Sequence, residues 1–243
     1  MKKHDLFFGH GLPYIDANDL LGKLIVIEGT DGVGRTTQIE NIKSWLEILG
    51  YGVITTGWTR SRLMKMAIDR AKAGHSLNMH TYILLYVADF ADRLENEIIP
   101  ALKSGFIVLA DRYIYTAFAR SVVRGARREW IQQVYGFALN PDAVLYMKID
   151  IEDLIPRVIN SETLMERYWA NQSGLGMDYW ESGMDLKLGD DFYDSFVEYQ
   201  RRLLQEFELM AREMNFYVVD ASKSFEEINR ELKNIILKVL ENG

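Results

Sequence analysis

The sequence predicts a single α/β domain built on a five-stranded, mainly parallel sheet with helices on both faces. Short apolar runs rich in β-branched residues alternate along the chain with stretches whose apolar residues recur at helical spacing. No internal repeat and no linker-like composition divides the 243 residues. Strands that alternate with helices over a whole chain are typical of a parallel sheet covered by helices.

The elements are assigned in chain order. Strands are predicted at residues 23–28, 53–56, 106–110, 143–149 and 216–219. Helices are predicted at 38–49, 60–73, 79–103, 114–123, 128–137, 151–159, 190–214 and 225–240, and Pro100 should kink or end the third of them. Residues 1–21 are predicted to form an N-terminal extension that lies on the surface or on a partner. Residues 22–243 then form the single domain, with a lid at about 160–190, where the sequence shows no clear period.

Composition limits the possible functions. Apolar residues make up 48% and charged residues 26%, which is an ordinary globular balance. A net charge of −7 argues against a general binder of nucleic acid or of anionic membranes. The absence of cysteine excludes disulfides and thiolate metal sites, and no apolar run reaches membrane-spanning length. We therefore expect a soluble, cytoplasmic protein with no nucleic-acid or membrane partner.

A glycine-rich turn joins the first strand to the first helix. Glycines there let backbone N–H groups close around an anion, and the positive end of the new helix points at the same place. Strand, glycine-rich turn and helix are the context of a phosphate-binding P-loop, and they predict the three-layer sandwich of the P-loop NTPases. The predicted ATP-binding residues are Gly29, Thr30, Asp31, Gly32, Val33, Gly34, Arg35, Thr36 and Thr37, and the Thr36 hydroxyl is placed to bind Mg²⁺.

Arg35 departs from the motif G-x-x-x-x-G-K-[ST], in which lysine holds this position. The positive charge is kept, but a planar guanidinium replaces a compact ammonium group. Two alternatives to an active P-loop follow. The turn could have only a structural role, or it could bind phosphate without supporting turnover.

Several landmarks, beginning with the loop itself, occur along the chain at characteristic spacing. They are the run 27–38, the helix segment 84–89, the run 98–105 with Pro100, the triplet Asp111-Arg112-Tyr113, the stretch 141–146 and Val219-Asp220-Ala221. In their order and spacing the chain resembles the thymidylate kinase family of nucleoside monophosphate kinases. The resemblance covers residues 23–240, nearly the whole chain.

The resemblance implies the reaction ATP + dTMP → ADP + dTDP with Mg²⁺, in a homodimeric enzyme. Arg35, Asp111 and Arg112 would form the catalytic set, with Thr36 and Asp111 as the metal residues. Asp31 would bind the substrate sugar and Tyr86 would stack on its base. The full predicted substrate set is Asp31, Arg60, Tyr86, Phe90, Arg93, Arg112, Thr116 and Arg120. Structural roles remain open for four of these residues: a capping or turn-forming Asp at 111 and 31, a surface ion pair at Arg112, and a core aromatic at Tyr86.

The chain also departs from the family pattern. The loop after the second strand, usually T-R-E-P-G, is Thr55-Thr56-Gly57-Trp58-Thr59, so that Arg60 and Arg62 would have to replace its arginine. Phe90 stands where the family has arginine, and Arg93 lies three residues further along the same helix face.

Charge is also distributed unusually. The lid region is acidic, with seven carboxylates against Arg167 and Lys187 between residues 158 and 191. Arg120, Arg124, Arg127 and Arg128 form either a solvated basic face or a grip on the acceptor. These departures leave two alternatives open. One is a kinase of the same fold with another nucleotide, a nucleoside or polyphosphate as acceptor or donor, and the other is a non-catalytic nucleotide-binding regulator. For the homodimer we expect Tyr82, Leu85 and Phe90 to supply an apolar helix face.

Overall fold

The computed structural model describes residues 6–58, 61–74, 78–159, 183–190 and 192–241. Five strands form one sheet in the order β2-β3-β1-β4-β5, and every neighbouring pair is parallel. The strands are β1 (Lys23–Glu28), β2 (Val53–Gly57), β3 (Ile107–Asp111), β4 (Ala143–Lys148) and β5 (Tyr217–Asp220). The carboxyl ends of β1 and β3 lie side by side, with Ile27 opposite Asp111.

Nine α-helices surround the sheet in the described ranges. They are α1 (Arg35–Ile48), α2 (Lys65–Gly74), α3 (Met79–Arg93), α4 (Ile99–Lys103), α5 (Ile114–Val123), α6 (Arg128–Val134), α7 (Ile151–Ile159), α8 (Phe192–Glu213) and α9 (Phe225–Glu241). None of these helices is both long and apolar enough to cross a membrane.

Two hydrophobic clusters fill the space between the sheet and its helices. Alternate residues of β1 point to opposite faces, so Val26 belongs to one cluster and Ile25 and Ile27 to the other. All three are fully buried. Burial on both faces explains why β1 is a continuous apolar run, and it confirms the predicted sandwich with helices on both sides.

The long third helix of the prediction is divided in the structure. After α3, a π-helical turn at Leu94–Ile98 leads into α4, whose first turn contains Pro100. Proline is well placed there because the first N–H groups of a helix have no partner within it. The irregular turn thus ends just before Pro100, and the helix continues past the proline to Lys103.

The N-terminal segment lies on the domain from residue 6 onwards. Phe7 forms an antiparallel bridge with Leu139, and the Phe8 N–H donates to the Ala138 carbonyl at 2.8 Å. The Phe8 ring packs edge-on against Phe118 of α5 at 5.3 Å. The described part of the extension is thus held by backbone bonds and by an apolar contact.

Candidate active site

The phosphate loop connects β1 to α1. Gly29, Gly32 and Gly34 have φ angles of 149°, 84° and 82°, a region that side chains with a Cβ rarely adopt. A Cβ on Gly32 would also lie 2.8 Å from the Val158 side chain. No side chain caps the first turn of α1 at Gly34, so this turn presents its N–H groups towards the loop. This geometry is that of an anion-binding site.

Arg35, the first residue of α1, is turned into the loop and is buried. Its Nε donates to an Asp111 carboxylate oxygen at 2.7 Å, and its Nη1 donates to the carbonyls of Gly29 and Thr30. A lysine ammonium could not form this fork of contacts. The arginine therefore links the phosphate loop to the end of β3.

Thr36 and Asp111 lie together, as the proposed metal residues should. The Thr36 hydroxyl donates to the second Asp111 oxygen at 3.0 Å. Mg²⁺ at nucleotide sites is commonly held by one or two protein oxygens together with substrate phosphates and water. The described residues contain no cluster of three or more His, Cys, Asp or Glu side chains suited to a metal, so they fit a shared site of this kind and not a dedicated protein cage.

Asp31 is at the centre of an arginine cluster. Arg112 of the loop after β3 donates to one of its oxygens, and Arg120 Nη2 of α5 lies 3.5 Å from the other. Arg35 Nη2 lies 3.8 Å away. Arg112 also has a left-handed backbone with φ 72°, which is uncommon for a residue other than glycine and is found disproportionately at functional sites. Its N–H donates to the Ile27 carbonyl at 3.1 Å.

These arginines keep both carboxylates charged. Loss of water around the Asp31 carboxyl would raise its pKa, but Arg112, Arg120 and Arg35 together hold that pKa well below its ordinary value. Burial likewise opposes the charge of Asp111, and the adjacent Arg35 guanidinium outweighs it and lowers the pKa. The site is therefore ionic at neutral pH.

Glu28 is a functional-site residue that the sequence analysis did not identify. It is fully buried at the end of β1 and accepts N–H bonds from Tyr113 at 2.8 Å and Thr116 at 3.1 Å. The Thr116 hydroxyl donates to its other oxygen at 2.7 Å. Burial raises the pKa of Glu28, against the partial effect of these bonds. The sequence feature that could have identified Glu28 is a carboxylate at the end of an otherwise apolar strand. In the structure, Thr116 serves to hold this carboxylate.

Tyr86 is buried on α3, but its ring does not face only the core. Trp58, the residue after β2, stacks on it with ring centroids 4.8 Å apart and planes at 25°. The Arg120 guanidinium carbon lies 5.7 Å from the centroid of the Trp58 ring. The aromatic pair thus adjoins the arginine cluster. The sequence analysis noted Trp58 only as a departure from the family pattern.

Two predicted substrate residues lie in the core instead. Phe90 is 2% exposed and packs edge-on against Tyr113 at 5.0 Å. Arg93 is also 2% exposed, and its Nε donates to Asp89 at 2.9 Å. Both side chains are held by contacts within the subunit, and their assignment to the substrate stays a prediction. Arg60 lies outside the described residues, and Arg62 is exposed.

The basic stretch that begins in α5 is neither a uniform solvated face nor a single grip. Arg124 is buried and forms two bonds with Asp185, at 3.0 and 3.2 Å. Arg128 donates to Glu206 of α8, and Arg127 is exposed. Only Arg120 of the four adjoins the phosphate loop. Most of the predicted lid, residues 160–182, lies outside the described ranges, and its C-terminal part is joined to α5 through Asp185.

The parallel sheet, the phosphate loop after β1 and the carboxylate ending β3 define a P-loop protein that binds nucleotide phosphates. Comparison with known proteins identifies the branch of this class. The thymidylate kinase family model matches residues 27–173. The chain therefore belongs to the thymidylate kinase family.

Named relatives align with this chain over nearly their whole length. A probable thymidylate kinase 2 of Saccharolobus solfataricus is 31% identical over 91% of this chain and 99% of that protein. A probable thymidylate kinase of Thermococcus gammatolerans is 27% identical, covering 92% and 100%. A thymidylate kinase of Mesoplasma florum is 30% identical, covering 89% and 96%. The family resemblance stated from the sequence motifs is confirmed.

Proposed function

We propose that the chain transfers the γ-phosphate of ATP to dTMP. The observation that carries this proposal is the arginine cluster around Asp31, because Arg35, Arg112 and Arg120 converge there on the edge of a phosphate loop. Phosphoryl transfer requires two phosphates to be held in line and their charge to be balanced. The family supports this ATP-dependent nucleoside monophosphate kinase activity, and its named relatives support dTMP as the acceptor.

Each residue has a role that follows from its position. The loop N–H groups and Arg35 bind the donor phosphates, and Arg112 moves its guanidinium from Asp31 to the transferring group. Asp31 and Arg120 hold the acceptor. Glu28 fixes the backbone N–H groups of Tyr113 and Thr116, and so sets the position of the adjacent Arg112.

Mg²⁺ fits beside the Thr36 hydroxyl and the Asp111 carboxylate, which are 3.0 Å apart. When bound there, the ion neutralises charge on the donor phosphates. Arg35 occupies the other Asp111 oxygen, and this contact holds the carboxylate in a fixed orientation.

A coupled assay of ADP release tests the proposal. ATP and Mg²⁺ are supplied with dTMP, with other nucleoside monophosphates, with nucleosides or with polyphosphate. We expect turnover with dTMP well above that with every other acceptor. Faster release of ADP with another acceptor than with dTMP, or binding of ATP without turnover on any acceptor, would refute the assignment.

The assembly and the location of the enzyme are also proposals. We propose a cytoplasmic homodimer that pairs through α3. Tyr82, Leu85 and Phe90 were expected to supply its apolar face. Tyr82 and Phe90 are buried within the subunit and Leu85 is partly buried against the core, so the expected apolar face is corrected. The same helix offers Leu84, 50% exposed, with Ala88 and Ala91 incompletely buried at helical spacing from it. These three side chains support a helix-to-helix contact.

A further inference from the structure

The indole of Trp58 fills the space beside the Tyr86 ring. We propose that Trp58 is a specificity-determining residue whose indole competes with the base of the acceptor for a single slot beside Tyr86. The inference rests on the proposed function and adds to it a residue that sets acceptor affinity. The stacked geometry, 4.8 Å between centroids and 25° between planes, shows that the slot accepts a flat aromatic group.

The backbone holds Trp58 at the edge of the site. Trp58 directly follows β2, and Gly57 pairs with Asp111 in the sheet register. The Trp58 N–H donates to the Asp111 carbonyl at 3.3 Å. The side chain therefore starts next to the backbone at the end of β3 and extends towards Tyr86 of α3.

The slot is continuous with the arginine cluster. Arg120 contacts both parts, with its guanidinium carbon 5.7 Å from the indole centroid and its Nη2 3.5 Å from Asp31. A nucleoside monophosphate has a flat base at one end and a phosphate at the other. With its phosphate among the arginines, its base would reach the aromatic pair, where the indole now lies.

The indole N–H of Trp58 lacks a hydrogen-bond acceptor in this position, among the residues that the structure describes, and its Nε1 is buried. A buried donor without an acceptor costs free energy, which the indole would recover by moving into water. A base in the same place would keep the stack on Tyr86. These two terms favour exchange of one ring for the other.

Competition for the slot has a measurable consequence. If the indole fills the slot in about 90% of molecules, the apparent Kd of the acceptor is raised about tenfold. Trp58→Ala should remove the competitor and tighten dTMP binding by about tenfold, with no change in ATP affinity. Trp45→Ala is the matched control, because Trp45 lies on α1 and contacts Lys233 of α9.

Calorimetric titration of dTMP into the wild type and both variants tests this expectation. Tighter binding by Trp58→Ala alone supports the inference. Equal binding overturns it, and weaker binding overturns it by showing that Trp58 holds the base directly. If neither the wild type nor Trp58→Ala binds dTMP, the inference and the proposed function both fail.

Two further results separate the inference from the proposed function. Tighter dTMP binding by Trp58→Ala without phosphate transfer by either protein would refute the function alone. Turnover of dTMP by the wild type with an unchanged KM in Trp58→Ala would refute the inference alone. If Trp58→Ala does not fold, acrylamide quenching of tryptophan fluorescence is measured in the wild type and in Trp58→Phe. The difference between the two proteins reports on Trp58 itself. Its exposure should rise when dTMP is added, and an unchanged exposure overturns the inference.

Discussion

Asp111 is the residue at which the phosphate loop and the third strand meet. Its oxygens contact Arg35 Nε at 2.7 Å and the Thr36 hydroxyl at 3.0 Å. Both contacts therefore come from the first turn of α1, which connects the phosphate loop to the strand that ends just before Arg112. The prediction for Arg35 follows from this connection.

Arg35→Ala should weaken binding of ATP–Mg²⁺ by on the order of tenfold or more, because a charge-assisted hydrogen bond contributes about 1.5–3 kcal/mol. Calorimetric titration measures the change, and a thermal melt checks that the variant remains folded without its bond to Asp111. Arg35→Lys keeps the charge and should recover part of the affinity. An unchanged Kd in Arg35→Ala would mean that the guanidinium does not bind the donor.

Arg112→Ala should reduce turnover on the order of 10²-fold or more, with a smaller effect on ATP affinity. The guanidinium contacts Asp31 beside the phosphate loop, and a contact strengthened in the transition state appears mainly in kcat. Steady-state kinetics with dTMP measures the loss. Arg202→Ala is the control, since Arg202 is exposed on α8 and pairs with Glu198. Near-normal turnover of Arg112→Ala would exclude the role.

Glu28 predicts an unusual dependence of stability on pH. Its pKa in the folded protein is raised above the ordinary value of 4.5, so the folded state binds more protons than the unfolded state above that pH. The contribution of Glu28 to the free energy of unfolding is therefore complete below pH 4.5. It is lost as the pH rises through the folded pKa, at no more than about 1.4 kcal/mol per pH unit for one proton.

Urea unfolding at pH 4.5, 5.5 and 7 of the wild type and Glu28→Gln measures this contribution. The free energy of unfolding of the wild type minus that of the variant should fall as the pH rises. Glu40→Gln, at an exposed position on α1, should show no such trend. A difference that grows with pH would show that Glu28 is stabilised as a carboxylate instead.

Single residues were predictable where their chemistry is local. The glycines, Arg35 and Thr36 follow one another in the chain, and their spacing together with the flanking strand and helix predicts the phosphate loop. Trp58 was not assigned to the site because its partners, Tyr86 and Arg120, are separated from it by 28 and 62 positions. Helix periodicity placed Phe90 and Arg93 on one face of α3, but it could not show that this face is buried.

At the scale of elements, α5 links the arginine cluster around Asp31 to the segment before α8. Arg120 contacts Asp31, and one turn later Arg124 holds Asp185 and donates to the Tyr199 hydroxyl at 2.8 Å. The Arg124 side chain is 2% exposed and that of Asp185 is 11% exposed. Breaking a buried pair is costly because one charge remains without compensation.

A double-mutant cycle over Arg124→Gln and Asp185→Asn should give a coupling energy of about 1–3 kcal/mol in urea unfolding. The Arg202–Glu198 pair, whose side chains are 45% and 30% exposed, is the control and should give about 0.5 kcal/mol or less. A coupling no larger than the control would show that the buried pair does not fix the end of the predicted lid to α5.

Element types were predicted more reliably than their ends. The helices at 114–123 and 151–159 match α5 and α7 at both ends, because each has a clear apolar face. The predicted helix at 60–73 begins at Lys65 in the structure. The sequence could not place that start, because side-chain bonds such as the Met64 N–H to the Ser61 hydroxyl at 3.0 Å organise the preceding turn.

At the scale of the whole molecule, both sheet faces are covered and the N-terminal segment packs against α5 and the segment that follows α6. The Asn140 side-chain amide donates to the Phe7 carbonyl at 3.0 Å, and the Tyr14 hydroxyl donates to Glu95 at 2.8 Å. Composition predicted the extension, but its place on the domain depends on contacts across more than 80 positions. Such contacts leave no local pattern in the sequence.

The proposed homodimer leads to a prediction about α3. Leu84 is 50% exposed, although Ile83 beside it is buried. A second copy of the chain that covered Leu84 would remove its apolar surface from water, which is favourable. Leu84→Glu would place a charge in that contact and should convert the dimer to monomers. Light scattering at micromolar concentration should give twice 28.1 kDa for the wild type and 28.1 kDa for the variant.

Ile48→Glu is the matched control for this prediction. Ile48 is 84% exposed at the end of α1, so the same change in charge on another apolar surface position should leave the mass at the dimer value. A wild-type mass near 28.1 kDa would refute the dimer. A dimer that survives Leu84→Glu and dissociates with Ile48→Glu would instead place the interface at the end of α1, because only the covered side chain makes a buried charge costly.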